Sequence, residues 1–208
     1  IIPMRRLDML SFEALPDDKR RKIMNSAMAI FAKNGYKKTA VDDIVALAEI
    51  SKGSIFYYFG SKKKFYLYLY EYSVKLTNDT VLSHVDRRDN DFFSRVNKIM
   101  QIKLCVITDY PDMYAFSIKA NRETDLDVVE DILRINRLYR ADVMTYAIEG
   151  INRARFKSEV YIDDIVNATF WIAEGFLKNI TCKTESDIIK HMAEFGRYIK
   201  LLERSSCK

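Results

Sequence analysis

The chain has 208 residues, of which 49% are hydrophobic and 30% charged, and its formal net charge is +5. This balance is typical of a globular protein with one or two domains, and it excludes a disordered or fibrous chain. No apolar run approaches the roughly 18 residues that a membrane helix needs. The amino-terminal stretch does not read as a secretory signal, so we expect a cytoplasmic protein with no membrane partner.

The reactive side chains do not form a pattern that predicts catalysis. Cys105, Cys182 and Cys207 are odd in number and far apart, which argues against a disulfide framework and suits a reducing compartment. His84 and His191 are the only histidines, and neither lies near a candidate nucleophile. No metal-binding pair and no glycine-rich phosphate loop is apparent. We therefore expect no enzyme, no metal and no cofactor.

Three prolines and six glycines punctuate the chain sparsely, and this favours long helices over sheets. Residues 1–16 carry no strong pattern and are interpreted as an amino-terminal arm. After them, apolar spacing and capping residues predict an all-α fold of about nine helices. The predicted helices are 17–33, 41–48, 52–58, 62–85, 91–108, 111–121, 124–150, 163–180 and 185–203.

The stretch from Thr39 to Phe59 contains two short helices separated by a turn. Ser51 is a favourable N-cap for the second helix, in which Ile55 and Phe59 are four residues apart and share an inward face. Lysine, hydroxyl and aromatic side chains remain for the outer face, which suits a DNA groove. By residue type alone the run 55–59 also fits a β-strand. Helix-turn-helix is the leading interpretation.

The positive charge is concentrated beside this motif. Residues 1–65 hold 13 Lys/Arg and 7 Asp/Glu, a balance of +6, whereas residues 66–208 hold 21 and 22, a balance of −1. Lys62, Lys63 and Lys64 occupy the first turn of helix 4, where the helix dipole disfavours each exposed cation by about 0.3–1 kcal/mol. We interpret this cluster as one that meets DNA phosphate.

The last two helices carry more apolar surface than one face needs. Helix 9 has a narrow heptad-like seam, and helix 8 is apolar on several sides. Helix 8 is either the core helix of a monomer or, in the preferred interpretation, pairs with helix 9 and their copies in a twofold dimer. The predicted dimer interface consists of Ile165, Phe176, Ile188, Met192, Phe195, Ile199 and Leu202.

The motif residues together resemble the amino-terminal signature of the TetR family of transcriptional regulators. The resemblance covers residues 17–65 and is specific in both spacing and residue type, whereas the rest of the chain is similar only in outline. Its residues include Ile23, Ala27, Phe31, Gly35, Thr39, Val41, Asp42, Asp43, Ile44, Ala48, Phe65 and the run Ser51-Lys52-Gly53-Ser54-Ile55-Phe56-Tyr57-Tyr58-Phe59.

This resemblance implies a homodimer that binds a palindromic double-stranded operator. Residues 17–65 would form the helix-turn-helix domain and residues 66–208 a helical ligand-binding and dimerisation domain, with helix 4 as the connector. A small-molecule effector would release the operator, as in a repressor. The implied DNA contacts are Thr39, Tyr57, Tyr58 and Lys62 to phosphates, and Lys52, Gly53, Ser54 and Phe56 near base edges. The alternative is a dimeric DNA-binding protein without a ligand.

Bulky or soft residues on helices 5 to 8 are candidates for an effector cavity, although core packing is the commoner explanation for any one of them. Arg122 and Glu123, at the end of helix 6, are interpreted first as a solvated helix end, with gating of the cavity or binding of a polar group as the alternative. The candidate ligand-binding residues are Met100, Cys105, Met113, Phe116, Tyr146, Phe170 and Trp171.

The sequence departs from the family pattern at three positions. Glu49 stands in the turn where glycine is usual, and a left-handed backbone there costs a non-glycine residue about 1–2 kcal/mol. Phe56 replaces a common tyrosine, and Tyr58 replaces a common histidine. These departures affect the base preference that the family would otherwise suggest.

Overall fold

A computed structural model describes residues 12–179 and 184–208, and within them the fold is all-α, as predicted. The described residues also include a 3-10 turn at Arg153–Arg155 and an isolated bridge between Phe156 and Cys207. The helices are α1 Asp17–Lys38, α2 Val41–Ala48, α3 Lys52–Phe59, α4 Lys62–Ser83, α5 Phe92–Asp109, α6 Pro111–Asn121, α7 Val129–Ile148, α8 Ile162–Asn179 and α9 Glu185–Ser206.

Most predicted boundaries agree with these helices to within a few residues, and two differences have physical causes. α1 extends to Lys38, but Gly35 interrupts it with φ 76° and ψ 175°, where the sequence predicted the helix to end. α7 begins at Val129 instead of Thr124, because residues 123–128 form a hydrogen-bonded turn. Leu126, which the predicted helix 124–150 included, lies in this turn and is 90% exposed.

The contacts divide the chain into two compact units. The first contains the chain up to Val74 together with Asp112–Asn136, and the second contains Lys75–Pro111 with Arg137–Lys208. The first unit has an aromatic core in which the ring of Phe31 lies 4.8 Å from that of Tyr66 and 6.0 Å from that of Phe116. Because Phe116 belongs to α6, this helix packs with the helix-turn-helix segment, whereas the predicted boundary at residue 65 assigned it to the second domain.

The second unit has its own apolar core, which includes Phe92, Phe93 and Val143. The buried Arg95 guanidinium ties the start of α5 to the end of α7. It donates hydrogen bonds to the carbonyl oxygens of Tyr146 and Glu149, both at 2.6 Å. These contacts satisfy a buried charge with oxygens that the end of α7 leaves free.

Only part of the predicted apolar seam on α9 is exposed to solvent. At the start of α9 the sequence Thr184-Glu185-Ser186-Asp187 resembles a capping box. The structure confirms it, since the Thr184 hydroxyl accepts from the Asp187 N–H and the Asp187 carboxylate accepts from the Thr184 N–H. Phe195 and Ile199, however, are buried within the core of their own chain, where α9 packs on α5. These two side chains therefore do not face a second copy. The side chain of Ile188 lies outside the described residues.

No described helix combines the length and the apolar character that crossing a membrane requires.

The left-handed turn at Glu49 gives a stability prediction. Replacing Glu49 by glycine removes the backbone strain, so we expect the Glu49→Gly variant to melt about 2–4 °C higher in thermal unfolding followed by circular dichroism. Lys22→Ala, which removes only the exposed ion pair with Glu49, is the control and leaves the midpoint nearly unchanged. A lower midpoint for Glu49→Gly would contradict the assignment of strain.

Candidate nucleic-acid interface

The turn between α2 and α3 has a left-handed backbone at Glu49, although this residue is not a glycine. Glu49 has φ 55° and ψ 46°, and it is the one non-glycine residue with positive φ in the described part of the chain. Its N–H and that of Ile50 both donate to the carbonyl oxygen of Val45, which closes α2. Its carboxylate lies 2.5 Å from the Lys22 ammonium on α1, so the side chain adds an exposed ion pair where the family has glycine.

The aromatic run after the turn is helical, which excludes the β-strand alternative. Ser51 caps α3, since its hydroxyl oxygen accepts a hydrogen bond from the Ser54 N–H at 3.3 Å. Ile55 and Phe59 are buried, as their four-residue spacing predicted. α3 is therefore fixed to the core by one face and leaves its other face to solvent.

The outward face of α3 combines a cation, a glycine and two large rings. Lys52 and Gly53 are exposed, and Phe56 and Tyr57 are 42% and 64% exposed. The first turn of α3 contains no acidic residue, so the positive end of its dipole is open to an anion. Lys52 pairs with Asp42 at 2.9 Å on the surface, and a phosphate or base acceptor can replace so weak a pair.

A contact that the sequence did not predict supports α3 from behind. Phe12 precedes α1 and is fully buried, with its ring 5.5 Å from that of Tyr58 and 4.9 Å from that of Phe59. Tyr58 is therefore half-buried and held by ring contacts, which leaves Tyr57 as the freer of the two tyrosines. The sequence around residue 12 does not predict this contact, because Tyr58 and Phe59 are more than forty residues away along the chain.

Two of the predicted phosphate contacts already have internal partners. Thr39 is buried, and its hydroxyl donates to the Gly35 carbonyl oxygen at 2.7 Å, so that proton is not available to a phosphate. The Lys62 ammonium donates to the carbonyl oxygens of Tyr36 and Thr39 at 3.0 and 3.1 Å. It also lies 4.8 Å from the centre of the Tyr36 ring. Lys62 thus stabilises the carboxyl end of α1, and its contact with DNA stays a prediction.

The other two lysines of the cluster differ in their partners. Lys63 lies 3.1 Å from Asp131 and 3.6 Å from Asp127, and these acids raise the pKa of its ammonium. No carboxylate of residues 12–179 or 184–208 pairs with the Lys64 ammonium. Internal partners therefore account for two cations that the sequence alone assigned to phosphate. The end of α1 favours the charge of Lys62, and two carboxylates favour that of Lys63.

The candidate ligand-binding residues do not come together as one predicted set. Met113 and Phe116 lie in the first unit, and Phe116 is fully buried against other rings. The other five lie in the second unit, where Cys105 is exposed and Trp171 is 67% exposed. This corrects the predicted lining, since neither Cys105 nor Trp171 faces an interior. Met100, Tyr146 and Phe170 do pack against the second core.

α2, the turn and α3 form a helix-turn-helix. The buried face of α3 packs on the core, and its outer face is basic and aromatic. This arrangement is typical of a DNA-binding protein. The family pattern described as bacterial regulatory proteins, tetR family, matches residues 23–69. Over these residues the chain is similar to this family, and the comparisons support a DNA-binding transcriptional regulator.

Two relatives extend the comparison. The HTH-type transcriptional regulator YuxN of Bacillus subtilis (strain 168) is 22% identical over 207 residues, which cover 91% of this chain and 70% of YuxN. The negative regulator IcaR of the biofilm operon icaADBC in Staphylococcus aureus (strain Newman) is 31% identical over 93 residues. That match spans about half of each protein, 45% of this chain and 48% of IcaR.

Solved structures share the fold at low sequence identity. The fatty acid degradation regulator FadR of Bacillus halodurans superimposes with a TM-score of 0.73 at 17% identity, covering 91% of this chain and 96% of FadR. FadR of Bacillus subtilis in complex with stearoyl-CoA gives 0.63 at 14% identity, covering 88% and 96%. These likenesses establish the architecture.

The position of Lys62 yields a prediction that tests its structural role. Lys62→Ala leaves the carbonyl oxygens at the end of α1 without their donor, so we expect the free energy of unfolding to fall by about 1–3 kcal/mol in urea titration. Lys64→Ala removes the same charge without an acid partner and is the control, with a change within about 0.5 kcal/mol. Equal effects of the two substitutions would contradict the capping role.

Proposed function

We propose that the protein is a dimeric repressor that binds a palindromic operator through α3 and is released from it by a small molecule. The observation that carries the proposal is the outer face of α3, which is basic, free of acids in its first turn and rigidly supported. Lys52, Gly53, Ser54 and Phe56 are assigned to base edges, and Tyr57 and Tyr58 to phosphates. Lysine can donate to guanine acceptors, and Phe56 can contact a thymine methyl group.

The proposed dimer uses the exposed side of α8 and α9. A surface groove of about 350 Å³ there is lined by Trp171, Gly175 and Phe176 of α8 and by His191 and Tyr198 of α9, among others. The Nδ1 atom of His191 is buried beside it, 3.8 Å from the Glu194 carboxylate, and has no hydrogen-bond partner in the described part of the chain. Buried polar atoms are usually paired, and a large exposed tryptophan is a frequent centre of interfaces. A second copy satisfies both requirements.

Of the predicted interface residues, Ile165, Phe176, Met192 and Leu202 remain partly exposed. Trp171, first considered for the ligand, is reassigned to this surface because of its exposure. Tyr198 and Leu201, which are 43% and 65% exposed on α9, extend the same apolar area. The proposed interface is therefore broader than the seam that the sequence predicted.

Release by a small molecule is supported by a structural neighbour. The structure of FadR of Bacillus subtilis is a complex with stearoyl-CoA, so a protein of this architecture holds a small-molecule ligand. In this chain the candidates that remain are Met100, Tyr146 and Phe170. A molecule acts as an effector only if it binds one arrangement of the dimer more tightly than the other. The name of IcaR, a negative regulator, supports repression over activation.

The proposal is tested by selecting binding sites from random double-stranded DNA and measuring them by gel shift. We expect a palindrome whose half-sites lie one helical turn apart, about 34–36 Å between centres. Binding should weaken steeply with salt, because lysine contacts release counterions from phosphate. Recovery of unrelated sequences, or of none at low salt, would contradict the proposal.

Lys52 is predicted to read a base. Lys52→Ala should weaken binding to the selected operator by about 5–150-fold and reduce discrimination at one position of each half-site. Lys33→Ala, which removes an exposed charge from α1, is the matched control and should leave the discrimination unchanged. An equal loss for every base at every position would instead make Lys52 a phosphate contact.

The proposed interface makes a separate prediction. Trp171→Glu places a charge at the centre of the groove, so we expect sedimentation to give the mass of one chain and operator binding to be lost. Leu138→Glu, at a position 59% exposed on α7, is the matched control and should remain dimeric. A dimer that survives Trp171→Glu would place the interface elsewhere.

A further inference from the structure

The segment that joins α6 to α7 carries acids that bind the DNA-binding end of the first unit. We infer that Glu123 and Asp127 are positioning residues, which fix the direction of α3 by holding the carboxyl end of α1. The inference rests on the proposed function, because direction matters only if two copies of α3 must meet two half-sites at one spacing.

Glu123 binds the backbone of α1 at its kink. The Tyr36 N–H donates to Glu123 Oε2 at 3.1 Å, and this N–H is free to do so because Gly35 leaves the helical backbone. A side chain at position 35 is disfavoured, since its φ is positive and an added Cβ would lie 3.3 Å from Lys119 Cε. The close approach of α1 and α6 is therefore built into the kink.

Glu123 uses both carboxylate oxygens. Its Oε1 accepts from the N–H groups of Thr124 and Asp125 at 3.0 and 3.1 Å, so the same side chain that holds α1 also shapes the turn before α7. A glutamine would replace one acceptor by a donor and would have to give up one side of this bridge. The bridge thus couples the shape of the turn to the position of Tyr36.

Asp127 binds the same end of α1 through a second route. The Tyr36 hydroxyl donates to Asp127 Oδ2, and the Lys63 ammonium of α4 lies between Asp127 and Asp131. Burial and the bond to Asp127 raise the pKa of the Tyr36 phenol well above its usual value, so it stays a donor at neutral pH. Tyr36 is consequently held at both its N–H and its hydroxyl by one segment.

The held end of α1 leads directly into the reading helices. The Lys62 ammonium binds the carbonyl oxygens of Tyr36 and Thr39, and only Thr39 and Ala40 separate α1 from α2. A shift of residues 123–131 therefore acts on α2 and α3 through Tyr36.

Directional hydrogen bonds are better suited to orientation than to stability. The aromatic core of Phe31, Tyr66 and Phe116 already joins α1, α4 and α6, and its contacts tolerate small rotations. Exposed ion pairs such as that of Lys63 contribute little to folding. The polar contacts at Tyr36 select one orientation among those that the rings allow.

The experiment compares the wild type with Glu123→Gln/Asp127→Asn on a series of operators. The half-sites are those recovered by selection, and the spacer is shortened or lengthened by one or two base pairs. For the wild type we expect a sharp optimum. For the variant we expect affinity at the optimum to fall about tenfold, a usual size for coupling between separate sites, while affinity at the altered spacings stays the same, so that the profile flattens.

Asp79→Asn is the matched control, because it removes a carboxylate paired with Lys75 on the exposed side of α4, and it should keep the sharp optimum. An equal loss at every spacing, or an unchanged profile, overturns the inference. If the double variant does not fold by circular dichroism, Glu123→Gln alone is used with the same two criteria. Failure of the wild type to select any palindrome instead refutes the proposed function, so the two failures are distinguishable.

Discussion

The carboxyl end of α1 is the point on which the DNA-binding part of the structure depends. Gly35 turns the chain out of the helix with φ 76°, and the groups released by that turn find partners from two other elements. The Lys62 ammonium takes the carbonyl oxygens, and the Glu123 carboxylate takes the Tyr36 N–H. A helix end that is half-buried must satisfy these groups, and here their satisfaction also fixes the start of α2.

Aromatic packing and polar contacts have different roles in the first unit. Aromatic rings from α1, α3, α4 and α6, together with Phe12, supply the apolar area that holds the elements together. Polar contacts then choose among the arrangements that such a core permits. The Tyr70 hydroxyl, between Asn121 and Asn136, follows the same rule inside the core, where burial raises its pKa to about 12.

The first unit has a basic and aromatic surface and the second has an apolar one, and the proposed function uses both. The first unit presents Lys52 and the exposed rings of Phe56 and Tyr57, which suit a polyanion with flat base edges. The second presents an apolar groove around Trp171, which suits another protein surface. A dimeric regulator needs both surfaces, because the dimer sets the distance between the two copies of α3 and therefore the spacing of the half-sites.

The sequence by itself determined the helices and the reading face. Spacing of Ile55 and Phe59, the Ser51 cap and the Thr184 capping box are local signals, and each appears in the structure as predicted. The left-handed backbone at Glu49 was anticipated only through the family resemblance, in which glycine is usual at that turn position.

Only the tertiary structure decided which charges face solvent and which face the protein. Lys62 and Lys63 look identical in sequence to a phosphate-binding pair, but the carbonyl end of α1 and the acids Asp127 and Asp131 lie beside them in space. Phe195 and Ile199 likewise fit an interface by periodicity, yet α5 covers them. Partners more than twenty residues apart leave no periodic trace, so their burial and pairing became visible only once the chain was folded.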